Sequence, residues 1–291
     1  MSGDLHCHTR LSDGTLGIED LINFAKKKGL ETIAITDHDC LAGTVRGKII
    51  GARHGIQVIP GVELSATDEE NDVNVHILCY LPDSPDMLEG LCKRNSLARK
   101  KASHFMMLQT AKRFPISTEF IIKCATGSTN LYKKHIMQAL IECGYADSFN
   151  GELYKKLFTK ESEDNILVVP KYESVKDVID AIHTAGGIAI LAHPYVSRVE
   201  NNIPYYAELG IDGIEVFHPS ANDEQQVALK KIAAKNKLLM TGGSDFHGLY
   251  NEHKVSIGDY STPDDCLHAL LTYKSKQKRL QKKLAQQGAK E

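Results

Sequence analysis

Histidine and carboxylate side chains recur at the ends of short β-branched runs, and this pattern restricts the fold more than any other feature. The runs at 3–6, 32–36, 57–62, 73–78, 188–192, 213–217 and 238–241 alternate with amphipathic segments at 18–28, 44–54, 174–185 and 223–236. Such alternation is the signature of βα units around a parallel sheet. In segment 18–28, Leu21, Ile22 and Ala25 make an apolar stripe that Gly29 closes. Ser174 and Asp223 are the expected N-caps of their helices, and a last helix should start after Pro263. The strands stop at His6 and His8, His38, Glu63, His76, His193, His218, and Asp245 with His247. In α/β barrels the functional groups sit on loops at the strands' C-terminal ends, so these residues should converge on one face.

Spacing also locates an insertion. His38 to Glu63 is 25 positions, Glu63 to His76 is 13, His193 to His218 is 25 and His218 to Asp245 is 27, but His76 to His193 is 117. A structureless loop of that size is improbable within a compact domain. Segment 85–170 therefore reads as helical, over 87–114, 117–125, 134–143 and 151–157. It would cap a discontinuous catalytic barrel made of 1–84 and 171–291.

Composition narrows the class. With 42% hydrophobic and 25% charged residues among 291, the chain is ordinary globular material rather than disordered, collagenous or coiled-coil. The net charge of −2 gives no global pull toward nucleic acid or membrane, so any anion site must be local. No apolar run approaches the roughly 18 residues of a membrane span, and MSGDLHCHTR lacks the apolar core of a signal peptide. Seven scattered Cys without a CxxC pattern point to a reducing cytoplasm. Nothing marks an obligate protein partner.

The 13 His carry the chemistry. His6 and His8 are two apart on a strand, so both imidazoles point to one side, a chelating arrangement for a borderline metal. In Thr36-Asp37-His38-Asp39, His38 ranks as the ligand and the flanking carboxylates as its orienting partners. Glu63 ends the apolar run VIPGVE, where a bare carboxylate is costly unless paired or metal-bound; it could bridge two ions. His76 in VNVHIL, His193 in AILAHP, Asp245 and His247 in GGSDFH, and Asp13 in a turn-like SDG complete six histidines and three acids. That set suffices for two or three divalent ions with open positions. Mn, Zn or Fe suits the imidazoles, and the carboxylates also admit Mg. No GxSxG or P-loop pattern competes, so a metal-activated water is the expected nucleophile.

DLHCHTRLSDG, ITDHD, PGVELS, the mid-strand His76, ILAHP and TGGSDFHG resemble the motif series of the polymerase-and-histidinol-phosphatase (PHP) family of metallophosphoesterases. They occur in family order from Asp4 to Gly248. The resemblance is strongest to the branch with a helical insertion that acts on nucleoside 3′,5′-bisphosphates and short RNA 5′ ends. It implies an α/β fold, a distorted seven-stranded (β/α) barrel of PHP type with a helical insertion domain. It also implies three metal sites: His6, His8, Glu63 and Asp245; Glu63, His76 and His193; and Asp13, His38 and His247. All nine positions hold a residue type that the family uses.

Substrate contacts are expected from fewer signals. Lys133-Lys134-His135 stand before an amphipathic helix with Ile136, Ala139 and Leu140, where relatives carry an Arg-x-His pattern. Lys133 and His135 are then phosphate contacts, with lysine keeping the charge but losing the bidentate fork; two solvated lysines at a helix start are the alternative. Arg198 would serve a phosphate from a shifted position, and Tyr195 would stack on a base. His218 in VFHPS is expected to be a phosphate donor or general acid, with Glu63 as the other catalytic residue. The basic stretch of Lys274, Lys276, Lys278, Arg279, Lys282 and Lys283 reads as a frayed helix end, with RNA backbone contact as the alternative.

These features predict a hydrolase that releases phosphate from a nucleoside 3′,5′-bisphosphate or short single-stranded RNA. The rival readings are a histidinol-phosphate phosphatase and a metal-stabilised nucleic-acid-binding or regulatory module without turnover.

Overall fold

Aliphatic and β-branched runs become seven strands in a computed structural model, which describes residues 2–251 and 255–288, with side chains to residue 279. They are β1 (Gly3–Asp4), β2 (Thr32–Ile35), β3 (Gln57–Asp68), β4 (Val73–Tyr80), β5 (Ile188–Leu191), β6 (Gly213–Phe217) and β7 (Leu239–Gly242). They neighbour one another in chain order. Backbone bonds from Leu5 N to Gly242 O and from Phe246 N to His6 O, both 3.2 Å, join the two edges. The result is a nearly closed barrel.

The expected all-parallel sheet needs correction. β1–β2, β2–β3, β5–β6 and β6–β7 are parallel, but β3–β4 and β4–β5 are antiparallel. β3 runs past Glu63 to Asp68 and returns as β4 after four residues, too short a link for a parallel crossover. A reversed strand delivers its C-terminal end to the opposite rim. His76 therefore reaches the site from mid-strand, opposite Ser65, and Glu63 lies within β3 rather than at its end.

Helices α1 (Ile18–Lys27), α2 (Ala42–His54), α7 (Val175–Thr184), α8 (Pro194–Ser197), α9 (Ile203–Leu209), α10 (Asp223–Asn236) and α11 (Asp264–Gly288) accompany the strands. Between β4 and α7 lie α3 (Glu89–Arg113), α4 (Thr118–Cys124), α5 (Lys133–Glu142) and α6 (Glu152–Phe158). This segment has its own apolar cluster, which includes Met106, Ile121, Ile136, Leu140, Leu157 and Phe158. Ser174 caps α7 by accepting from Asp177 N at 3.1 Å. The cap of α10 is Asn222, not Asp223: its side chain accepts from Gln225 N, and Gln225 Oε1 accepts from Asn222 N, both at 2.9 Å.

Helix α2 shows how sequence dictates packing. Gly43, Gly47 and Gly51 recur every four residues and are buried against Ile35 and Val58. A Cβ on Gly51 would stand 2.7 Å from Ile56 O and 2.5 Å from Val58 Cγ2. Gly51→Ala should therefore cost about 2 kcal/mol through overpacking, a drop in Tm of roughly 4–8 °C in a thermal melt. An unchanged Tm would show that α2 can shift freely on the sheet.

Leu267 and Leu270 of α11 join an apolar cluster with Ala34, Ile59, Leu78 and Ile190. Lys274 Nζ then donates to Leu81 O (2.6 Å) and Gly186 O (2.7 Å), and pairs with Asp83. The first lysine of the basic stretch is thus structural; the side chains of Lys282 and Lys283 lie outside the described residues. Among those residues no helix is long and apolar enough to cross a membrane.

Candidate metal centre

Glu63 is fully buried and its two oxygens divide a ring of imidazoles between them. Oε1 lies 2.8 Å from His76 Nδ1 and 3.0 Å from His193 Nε2; Oε2 lies 2.8 Å from His38 Nδ1, 3.3 Å from His8 Nε2 and 3.5 Å from His6 Nε2. Asp245 Oδ1 faces His8 Nε2 at 3.2 Å and His6 Nε2 at 3.4 Å. Asp13 Oδ1 faces His247 Nε2 at 3.3 Å and His38 Nε2 at 3.7 Å. Ligand atoms thereby gather as His6, His8 and Asp245; as Glu63 with His6 and His193 or with His38 and His76; and as His8, Asp13, His38 and His247. All nine residues expected to bind metal are brought together.

The donor set fits divalent cations. His6 Nε2, His8 Nε2, Asp13 Oδ1, His38 Nδ1, Glu63 Oε2 and His76 Nδ1 are buried without a hydrogen-bond partner. Such atoms are costly in a protein interior unless an ion takes their lone pairs. Burial opposes charge throughout, yet the imidazoles hold Glu63, Asp13 and Asp245 well below the usual carboxylate range. Burial pushes His38 down to about 4 despite Glu63 and Asp13. At His8, burial is outweighed by the Asp245 and Glu63 carboxylates, which raise it to about 10. A cation that binds displaces the imidazole protons and keeps the ionised carboxylates as ligands.

Hydrogen bonds on the far side of each ring set its tautomer. His6 Nδ1 donates to Glu215 Oε1 at 3.0 Å, and His247 Nδ1 donates to Asp245 O at 2.8 Å. Ser12 Oγ gives its proton to Asp37 Oδ1 (2.6 Å), so it accepts from His8 Nδ1 at 3.4 Å. In all three rings Nε2 is the nitrogen that faces the centre, and its lone pair becomes available to a cation once its proton leaves. His218 is set the other way, since its Nδ1 accepts from Ser220 N at 3.0 Å and its Nε2 therefore carries the proton. That Nε2 lies 3.5 Å from Asp245 Oδ2.

Glu215 went unseen in the sequence reading. It also accepts from His193 N at 2.9 Å, and one signal could have found it: a lone carboxylate inside the apolar run GIEVF. Asp37 and Asp39 brace loops rather than the His38 ring. Asp37 accepts from Thr9 N (2.7 Å) and Ser12 Oγ, and Asp39 from Ser65 N (3.0 Å), Asn95 Nδ2 and Arg99 Nη2 (both 2.9 Å). Asp39, His193 and Asp245 all take positive φ, at 47°, 26° and 49°, as residues clamped at functional sites often do.

A cavity of about 400 Å³ joins this cluster to the helical segment, with Arg99, Met106, Tyr132, Lys133 and Tyr154 among its lining residues. The expected substrate contacts divide here. Lys133 lines the cavity, its Nζ lying 5.7 Å from the centre of the Tyr154 ring. His135 lines a different cleft; its Nδ1 accepts from Tyr132 N at 3.1 Å, and burial pushes its pKa down to about 4. His135 does not line the cavity that holds the metal ligands. Tyr195 packs on the barrel's apolar cluster, and Arg198 is an exposed C-cap in left-handed conformation; neither lines the cavity.

Residues 4–208 match the PHP domain model. The chain belongs to the PHP family. Three relatives show what kinds of enzyme share this domain. A phosphoribosyl 1,2-cyclic phosphate 1,2-diphosphodiesterase of Eggerthella lenta is 32% identical, over 86% of this chain and 95% of the relative. The 5′-3′ exoribonuclease Rnm of Escherichia coli is 30% identical, over 84% of each chain. A 3′,5′-nucleoside bisphosphate phosphatase of Chromobacterium violaceum is 28% identical, over 84% of this chain and 86% of the relative. Among solved structures, a putative metal-dependent phosphoesterase of Bifidobacterium adolescentis superposes with a TM-score of 0.84 at 30% identity, covering 92% of this chain and 95% of that one. This PHP protein is a hydrolase of phosphate esters that uses divalent metal. The resemblance read from its motifs holds, and the cyclic ribose phosphate of the Eggerthella enzyme adds a substrate class that the motifs did not announce.

Proposed function

We propose that this PHP protein removes phosphate from a small nucleotide, a nucleoside 3′,5′-bisphosphate or the 5′ end of a short RNA. The carrying observation is the cavity itself, lined both by metal-ligating residues and by cationic Lys133. Its volume suits one nucleotide unit, and the pairing of a metal centre with a lysine suits a substrate with two anionic groups. Segment 85–170 serves as a cap domain on the barrel of 1–84 and 171–291. The free cysteines support a reducing, cytoplasmic setting.

The ligands divide into His6, His8, Glu63 and Asp245; Glu63, His76 and His193; and Asp13, His38 and His247, for two or three ions of Mn, Zn or Fe. Bound there, divalent cations supply Lewis acidity, an acidified water and neutralising charge for phosphate. The protein's own groups do the rest. Glu63 holds the two halves of the centre in register, and His218 Nε2–H is the protein proton aimed at the site, placed to protonate the leaving alkoxide. Lys133 anchors the phosphate that is not hydrolysed, which positions the scissile group.

The test is phosphate release, with Mn, Zn or Mg, from adenosine 3′,5′-bisphosphate, 5′-phosphorylated di- to pentanucleotides, histidinol phosphate and a ribose 1,2-cyclic phosphate. Preference for either of the last two would overturn the nucleotide reading, the cyclic one in favour of the Eggerthella-type reaction. Lys133→Ala should lower kcat/KM on the bisphosphate by about tenfold, the size of one charge-assisted contact, and leave a small generic phosphoester nearly untouched. Equal losses on both substrates would sink the anchoring role.

A further inference from the structure

Tyr132 has a hydroxyl that none of the described residues engages. The residue is 6% exposed, and its Oη is buried without a hydrogen-bond partner although the side chain lines the cavity. A phenylalanine would pack as well, and a buried unpaired hydroxyl disfavours the folded state. A phenolic hydroxyl carries its proton at neutral pH, so Oη is a donor.

The neighbours of the ring point to an anion. The Arg99 guanidinium lies 5.0 Å from the centre of the Tyr132 ring and 5.2 Å from that of Tyr172. Arg99 Nη2 is held by Asp39 Oδ2 at 2.9 Å and Ser65 Oγ at 2.6 Å. Its Nε is buried without a partner among the described residues, and Arg99 lines the same cavity as Tyr132. On the metal side, the His38 ring stacks with Tyr132 at 5.9 Å and 24°. The Tyr132 backbone N–H donates to His135 Nδ1 at 3.1 Å, which ties the residue to the start of α5.

We propose that Tyr132 Oη and the Arg99 guanidinium form an anion-binding corner of the cavity that holds a phosphate oxygen of the substrate beside His38 and Asp13. This rests on the phosphoester substrate proposed above and adds residues of the helical segment to those that touch it. Lys133, by contrast, stands beside Tyr154. The corner explains together why a tyrosine rather than a phenylalanine stacks on His38 and why a half-buried arginine keeps an unspent Nε–H.

The experiment is calorimetric titration of inorganic orthophosphate into the full chain loaded with Mn(II) or Zn(II). Tyr132→Phe, which removes one oxygen, should raise the orthophosphate Kd about tenfold, as loss of a hydrogen bond to a charged group does, with Tm unchanged or slightly higher. Arg99→Lys, which keeps the charge beside Asp39 but loses the planar fork, should raise Kd as well. An unchanged Kd in Tyr132→Phe overturns the proposal, and a lower Tm with unchanged Kd would assign the hydroxyl to structure instead. Failure of the wild-type protein to bind orthophosphate overturns it too. If the wild type binds orthophosphate but hydrolyses no nucleotide, the proposed substrate falls while the titration still decides the corner.

Discussion

Glu63→Gln should lower kcat/KM on adenosine 3′,5′-bisphosphate by at least about a thousandfold, since a metal centre supplies several kcal/mol of transition-state stabilisation and each 1.36 kcal/mol is tenfold. The glutamine keeps the shape of the residue but replaces one acceptor oxygen with an NH₂ donor. That donor would face His76 and His193, or else His38, His8 and His6, because Glu63 meets both groups at 2.8–3.5 Å. Either orientation removes a negative ligand from one half of the centre and halves the bridge. Elemental analysis should show fewer ions per chain than in the wild type, and the combined loss should exceed that of His38→Ala. Near-normal turnover with full metal content would contradict the bridging role.

Glu215→Gln should weaken metal binding by roughly 10- to 100-fold, the usual cost of removing a partner that orients a ligand. Glu215 touches no open space. It accepts from His6 Nδ1 and His193 N, and so holds one ligand by its ring and another by its backbone. The imidazole of His6 holds the buried carboxylate below its ordinary pKa against the opposing effect of burial, so the residue enters the centre as a fixed negative charge. Glutamine keeps one acceptor oxygen but not the charge, and the Nδ1–H tautomer of His6 loses its preference. Titration of metal into chelator-stripped protein measures the shift, and a melt of the stripped variant reports on the fold. Metal affinity equal to the wild type would mean that the barrel alone orients His6.

The nine proposed ligands could be read from the chain because each is tied to a local pattern. Strand runs announce themselves by period two and by turn residues at their ends, and a polar group following such a run is marked for the rim. His218 was legible for the same reason. The expected substrate contacts were legible only in part. Lys133 and His135 are two positions apart at the start of one helix, yet one lines the cavity and the other a separate cleft. Turn-by-turn rotation of α5 decides which side chain faces the metals, and composition does not reveal it. Arg198 followed a plausible offset from His193, but a left-handed C-cap turns the chain there and leaves it exposed.

By itself, then, the sequence determined the alternation of strands and helices, the extra helical segment and the set of groups able to bind cations, because these follow from short-range periodicity and side-chain chemistry. Only the tertiary structure decided that β4 runs backwards, that Glu63 has imidazoles on both oxygens, and that Glu215, Arg99 and Tyr132 belong to the same neighbourhood. Those facts depend on strand register and on contacts between residues far apart in the chain, such as His6 with Glu215, 209 positions away. Local propensity carries no information about such distances; barrel closure and the burial of charge fix them.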